Sequence, residues 1–178
     1  MKLLFRIALL IMPFSLLGCS NKQSNDHLKI ISVHDGDTFT DEHKTIYRLF
    51  GVDTPEVSDQ YHNFEPTTGI EALYAYEATI LAKSLILNKV TSIDTITIGK
   101  FGRTIAQVSF NNKDLAIELL KVGLARVAYI SVDQKNPYFT NRHEYYKQLL
   151  DAQYHAAKNK LGFWRWPDRY KEIFPKSA

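Results

Sequence analysis

A chain of 178 residues, 45% hydrophobic and 12% aromatic, is enough for one domain with a real core and too short for two comfortable ones. Its formal charge of +3 nearly vanishes without Lys2 and Arg6: the 22 Lys and Arg fall to 20, against 19 Asp and Glu, which excludes nucleic-acid binding by bulk charge alone. Cys19 is the one cysteine, which excludes a disulfide within the chain. Residues 1–19, "MKLLFRIALLIMPFSLLGC", read as a bacterial export signal: a basic start, then an apolar run shorter than the roughly 20 residues that span a bilayer. Leu-Leu-Gly-Cys at its end resembles a lipobox, so Cys19 is expected to carry a lipid at the mature N-terminus. Residues 20–27 are polar and aperiodic and read as a tether, leaving a domain over 28–170.

The runs "LKIISV", "DTFT" and "TIYRLFGV" are β-prone, and "HDG" and "DEHK" between them predict two hairpins joining three antiparallel strands. After the loop "PEVSDQYHNFEPTTG", apolar residues Ile70, Leu73, Tyr74, Leu81 and Leu85 recur at helical spacing up to about Asn88. "VTSIDTITIG" and "RTIAQVSF" predict strands four and five, with "KFG" between them. Asp114 can cap a second helix, and Gly123 stands where it should end. Asn141 and Glu144 look like the capping box of a third, with Tyr146, Leu149, Leu150 and Ala157 on its apolar face and Gly162 closing it. The order β-β-β-α-β-β-α-α predicts an α+β fold, a five-stranded Greek-key barrel of the OB type with three helices.

Acidic residues crowd from Asp35 to Asp59, whereas bases prevail from Lys158 onward, so a cation site and polyanion contacts are both compatible with the charge pattern. Asp37 and Asp53 stand at predicted strand edges. With a turn carbonyl such as that of Thr54 they make the all-oxygen set that a hard divalent cation takes, although either aspartate alone could simply serve a turn. Arg48 lies inside the apolar strand "IYRLF", where its charge needs a partner; Arg103 opens another strand, and Glu56 follows Pro55 in a loop. Two guanidiniums, an acid and a carboxylate pair are the parts that metal-assisted phosphodiester hydrolysis requires.

The motifs "DGDT", "RLFGVDTPE", "KFGR", "GLARVAY" and "AQYHAAKNKLGFW", in that order, resemble the staphylococcal nuclease (thermonuclease) family over roughly residues 28–166. The resemblance implies an OB-fold, calcium-dependent endonuclease of DNA and RNA that leaves 3′-phosphates. It implies that Asp37 and Asp53 bind Ca2+ with the Thr54 carbonyl, that Arg48 and Arg103 hold phosphate, and that Glu56 is the general base. Lys100 and Tyr129 match positions near the bound nucleotide. Where the family's best-known member has a second tyrosine, this chain has Ser131; Phe101 replaces a tyrosine, and residues 57–69 contain no lysine. These departures bear on affinity and base preference. A catalytically inactive nucleic-acid- or protein-binding module of the same fold is the alternative, and a surface adhesin a third reading. Neither requires Asp37, Arg48, Asp53, Glu56 and Arg103 together. The expected setting is a monomer on the extracellular side of the cell membrane, lipid-anchored through Cys19, with partial release as the second option. "HEYYK" falls short of a zinc helix because Lys147 stands where the second histidine belongs, and the tryptophans of "WRWP" are expected to pack.

Overall fold

The computed structural model describes residues 26–59 and 65–175. The Cys19 lipobox and residues 20–25 of the expected tether lie outside the described residues. The chain order is β1 (Asp26–Val33), β2 (Thr38–Asp41), β3 (Ile46–Leu49), β4 (Val52–Asp53), β5 (Ser58–Asp59), β6 (Glu65–Pro66), α1 (Gly69–Ile86), β7 (Val90–Ile98), β8 (Thr104–Phe110), β9 (Lys113–Asp114), α2 (Leu115–Lys121), β10 (Arg126–Val127), α3 (His143–Lys158) and α4 (Tyr170–Ile173).

The sheet runs β3-β2-β1-β7-β8, and β3 pairs with β8 in parallel (Arg48 opposite Ile105), so five strands close into the expected barrel. Register shifts between Ile30 and Ser32 in β1, and between Thr95 and Thr97 in β7, supply the local bends that closure needs. β8 alternates buried and half-buried side chains, and its inward set, Ala106, Val108 and Phe110, meets Ile30, Phe39, Leu49 and Ile93 in one core. Asn111 and Asn112, both at positive φ, make the two-residue hairpin between β8 and β9. The loop after Pro55 carries the small β5–β6 ladder, which periodicity did not suggest.

The three expected helices, α1 to α3, sit where predicted but α1 and α3 bury different faces, and the short α4 was not predicted. α1 turns Ile70, Tyr74, Ala75, Ala78, Ala82 and Ile86 inward and leaves Leu73 half exposed, because small alanines let the helix approach the barrel closely. α3 buries Tyr145, Leu149, Ala152 and Ala156, while Leu150 is exposed. The Asn141–Glu144 capping box does not form: Arg142 is the N-cap, and the Thr140 hydroxyl accepts from its backbone N–H. Asp114 does cap α2, its carboxylate accepting from the Ile117 N–H at 2.9 Å. Lys160, at φ 53°, ends α3 in a Schellman pattern, with Leu161 N–H donating to the Ala156 carbonyl. Gly162 has another use. A Cβ on it would stand 2.1 Å from the Gly123 carbonyl oxygen, so two glycines let the ends of α2 and α3 touch backbone to backbone. Trp164 stacks on Tyr170 and packs as expected, whereas Trp166 is 45% exposed and tied to the fold through its indole N–H, which donates to Tyr74 Oη.

Candidate active site

The turn after β1 begins the site. The Asp35 carboxylate accepts from the Asp37 N–H at 3.0 Å, which shapes the hairpin and turns Asp37 into the protein. Asp37 is fully buried, and its other oxygen accepts from the Thr54 N–H at 2.8 Å. β3 brings Arg48 opposite Thr38 in the register with β2, so the guanidinium emerges beside the same turn. It has the partners its apolar strand demanded: Nη1 lies 3.0 Å from Asp37 Oδ1 and Nη2 2.6 Å from Asp53 Oδ1, with Glu56 Oε1 at 3.6 Å. One guanidinium thus gathers Asp37, Asp53 and Glu56 around a single point.

Electrostatics there are short of positive charge. Burial pushes the Asp37 carboxyl well above the usual carboxylate range; Arg48 pulls it back, and Asp35 and Asp53 push it up again. Asp35 is raised by burial and by Glu56. Burial works against the Arg48 charge, but the surrounding carboxylates, Asp37 first, outweigh it and hold the guanidinium above its ordinary value. Four carboxylates, Asp35, Asp37, Asp53 and Glu56, act on Arg48, and of these Asp53 also pairs with Arg126. Among the described residues no group of three or more His, Cys, Asp or Glu side chains forms a metal cage. Two buried carboxylates that meet on one guanidinium are nonetheless oxygen donors that fit a hard divalent cation.

Arg48 and Glu56 also line a cavity of about 780 Å³, shared with Lys100, Phe101, Arg103, Tyr129 and Tyr138. Arg103 differs from Arg48: among the described residues its buried Nε has no hydrogen-bond partner, and its guanidinium lies 5.9 Å from the Phe101 ring. A half-buried guanidinium that lines a cavity and has no ion pair among the described residues suits an anion. Phe101 (φ 71°) and Tyr129 (φ 55°) both hold left-handed backbone, which costs a bulky residue energy and recurs at ligand sites. Both rings are largely exposed beside the cavity. The structure therefore brings Asp37, Arg48, Asp53, Thr54 and Glu56 into contact and places Lys100, Arg103 and Tyr129 around the adjoining cavity.

Two residues escaped the sequence reading. Arg126 pairs with Asp53 across the β4–β10 ladder, its Nε at 3.0 Å and Nη2 at 2.7 Å from Oδ2. Within "GLARVAY" its place between apolar residues was the available signal. Tyr138 stands edge-on to Tyr129, ring centroids 5.4 Å apart, because Ser131 bridges to Phe139 and folds the following loop back. An aromatic wall is thus present although Ser131 itself has no ring. The five described histidines, His27, His34, His43, His143 and His155, are all exposed, in keeping with surface roles.

The comparisons with known proteins agree with this arrangement. Residues 46–166 match the family model for staphylococcal nuclease homologues. The chain is 31% identical over 158 residues to the uncharacterized protein MJ1439 of Methanocaldococcus jannaschii, covering 78% of this chain and 71% of that one. It is 29% identical over 157 residues to the thermonuclease of Staphylococcus hyicus, covering 85% and 83%. The probable endonuclease LCL3 of Nakaseomyces delphensis is 31% identical over 121 residues, 66% of this chain and 42% of that protein. With a closed five-stranded barrel, the gathered carboxylates and a match across most of the barrel and its helices, the chain belongs to the staphylococcal nuclease family.

Proposed function

We propose that the protein is a calcium-dependent endonuclease that hydrolyses phosphodiester bonds of DNA and RNA with little sequence preference and leaves 3′-phosphates. One observation carries the reading: Arg48, Glu56 and Arg103 line a single cavity, with the Asp37–Asp53 pair directly behind Arg48. Asp37, Asp53 and the Thr54 carbonyl would hold Ca2+, whose positive charge would polarise a phosphoryl oxygen and stabilise the charge that builds there. Arg103, which lines the cavity without a carboxylate partner among the described residues, and Arg48, with N–H groups beyond those its carboxylates occupy, clamp the non-bridging oxygens. Glu56 orients a water and accepts its proton as the water oxygen bonds to phosphorus. The P–O5′ bond then breaks, the leaving oxygen is protonated, and a 3′-phosphate and a 5′-hydroxyl remain. Lys100 adds charge at the rim, while Tyr129 and Tyr138 offer faces on which a base stacks without regard to its identity.

The test is incubation of the protein with plasmid and single-stranded DNA, in calcium or with a calcium-selective chelator. Cleavage in calcium alone is expected; a mobility shift without cleavage would leave only a binding module. We further propose a monomer, lipid-anchored at Cys19 and facing outward, as the basic start, apolar run and Leu-Leu-Gly-Cys suggest. Cys19→Ser should then move the protein from membrane to soluble fractions. A wild type already soluble would contradict the anchor, and a dimer in light scattering the monomer.

A further inference from the structure

Asp53 is held by two arginines at once. Arg48 occupies Oδ1, and the Arg126 fork occupies Oδ2. Arg126 is itself held from behind: its guanidinium lies 4.1 Å from the centre of the Phe174 ring, and its Nη1 donates to Tyr170 Oη at 3.3 Å. Tyr170 opens α4 and Phe174 follows it, in a segment that begins beyond the matched family region, and Phe174 is buried edge-on against Phe163 at 5.1 Å. Guanidinium planarity matters to this arrangement, because one flat group meets an aromatic face on one side and a carboxylate at its edge.

We propose that Arg126 is a positioning residue that fixes the Asp53 carboxylate, and that the C-terminal turn around α4 acts on the cation site through it. The inference rests on the calcium-site reading above. Asp37 and Asp53 share Arg48, and Arg126 brings a second positive charge against Asp53. Removing Arg126 takes that charge from beside the carboxylates, so the cation binds more tightly while Asp53 loses the fork that orients it. Charge and orientation therefore separate into opposite effects.

The experiment measures calcium affinity of the DNA-free protein by calorimetry, unfolding midpoint, and kcat and KM on single-stranded DNA. Arg126→Ala is expected to bind calcium on the order of tenfold more tightly and to lose about tenfold in kcat. Arg126→Lys, which keeps the charge and loses the fork, is expected to bind calcium as the wild type does yet share the kcat loss. Phe174→Leu, which touches neither carboxylate, is expected to lower kcat without tightening calcium. It carries the test if Arg126→Ala does not fold. Lowered unfolding midpoints with calcium affinity and kcat unchanged in every folded variant would overturn the proposal and leave Arg126 a structural residue. A wild type that binds no calcium would overturn the reading beneath it as well.

Discussion

The two arginines that line the cavity should fail in different ways when truncated. Arg48 is buried and holds Asp37 and Asp53 at 3.0 and 2.6 Å, so Arg48→Ala strands the fully buried Asp37 carboxylate without its cationic partner, while Asp53 keeps the Arg126 fork. Breaking such a pair costs about 3–5 kcal/mol of stability, a large share of the 5–15 kcal/mol typical of a domain. Arg103 has no ion pair among the described residues, only a buried Nε without an acceptor and a ring contact with Phe101 that is worth about 0.5 kcal/mol. Arg103→Ala should therefore leave stability within about 1 kcal/mol of wild type. Its removal should cost catalysis about 3 kcal/mol, on the order of a hundredfold in kcat, because a preorganised donor to the transition state is lost. Guanidinium chloride unfolding followed by Trp164 and Trp166 fluorescence reads the first quantity, and initial rates on single-stranded DNA read the second. Arg103→Ala that unfolds as easily as Arg48→Ala while cutting normally would refute the division of roles.

Other consequences are equally direct. Tyr138→Ala should raise KM several-fold with kcat nearly unchanged, since the ring stands against Tyr129 at the cavity and away from the carboxylates; an unchanged KM would remove it from the substrate surface. Gly123→Ala places a Cβ 2.2 Å from the Leu161 carbonyl oxygen at a φ of +72°, so a loss of about 3 kcal/mol or more is expected in denaturant unfolding. A loss under 1 kcal/mol would show that the α2–α3 contact yields easily. Burial raises the Asp114 carboxyl above its ordinary value, so this group favours the folded state most below an unfolded pKa of about 3.9 and loses that contribution as pH rises through its folded value. The stability of Asp114→Asn relative to wild type should therefore climb between pH 4 and pH 7, and a difference that falls over that range would contradict the burial argument.

What could be read in the sequence was set by local chemistry. Arg48 declared itself because a guanidinium inside "IYRLF" must find carboxylates, and Asp37 and Asp53 stood close on either side. The strand order was legible for the same local reason, since hairpin turns separate adjacent runs. Closure of the barrel was not written locally: the parallel pairing of Arg48 with Ile105 joins strands far apart in the chain. Helix faces were misread where alanines carried the packing, because Ala78, Ala82 and Ala156 contribute close approach and little hydrophobic signal. Arg126 was missed because its partner lies 73 residues away and its ring contacts come from Tyr170 and Phe174, more than 40 residues further on. Tyr138 was missed because the bridge from Ser131 to Phe139 brings it beside Tyr129, and no periodicity encodes that.

Phosphodiester hydrolysis at this site is read from mass spectrometry of a short single-stranded oligonucleotide incubated with the protein in calcium. Fragments ending in 3′-phosphate and 5′-hydroxyl are expected, absent when calcium is chelated and reduced at least a hundredfold in rate by Glu56→Gln. An oligonucleotide bound but recovered intact in calcium would contradict it.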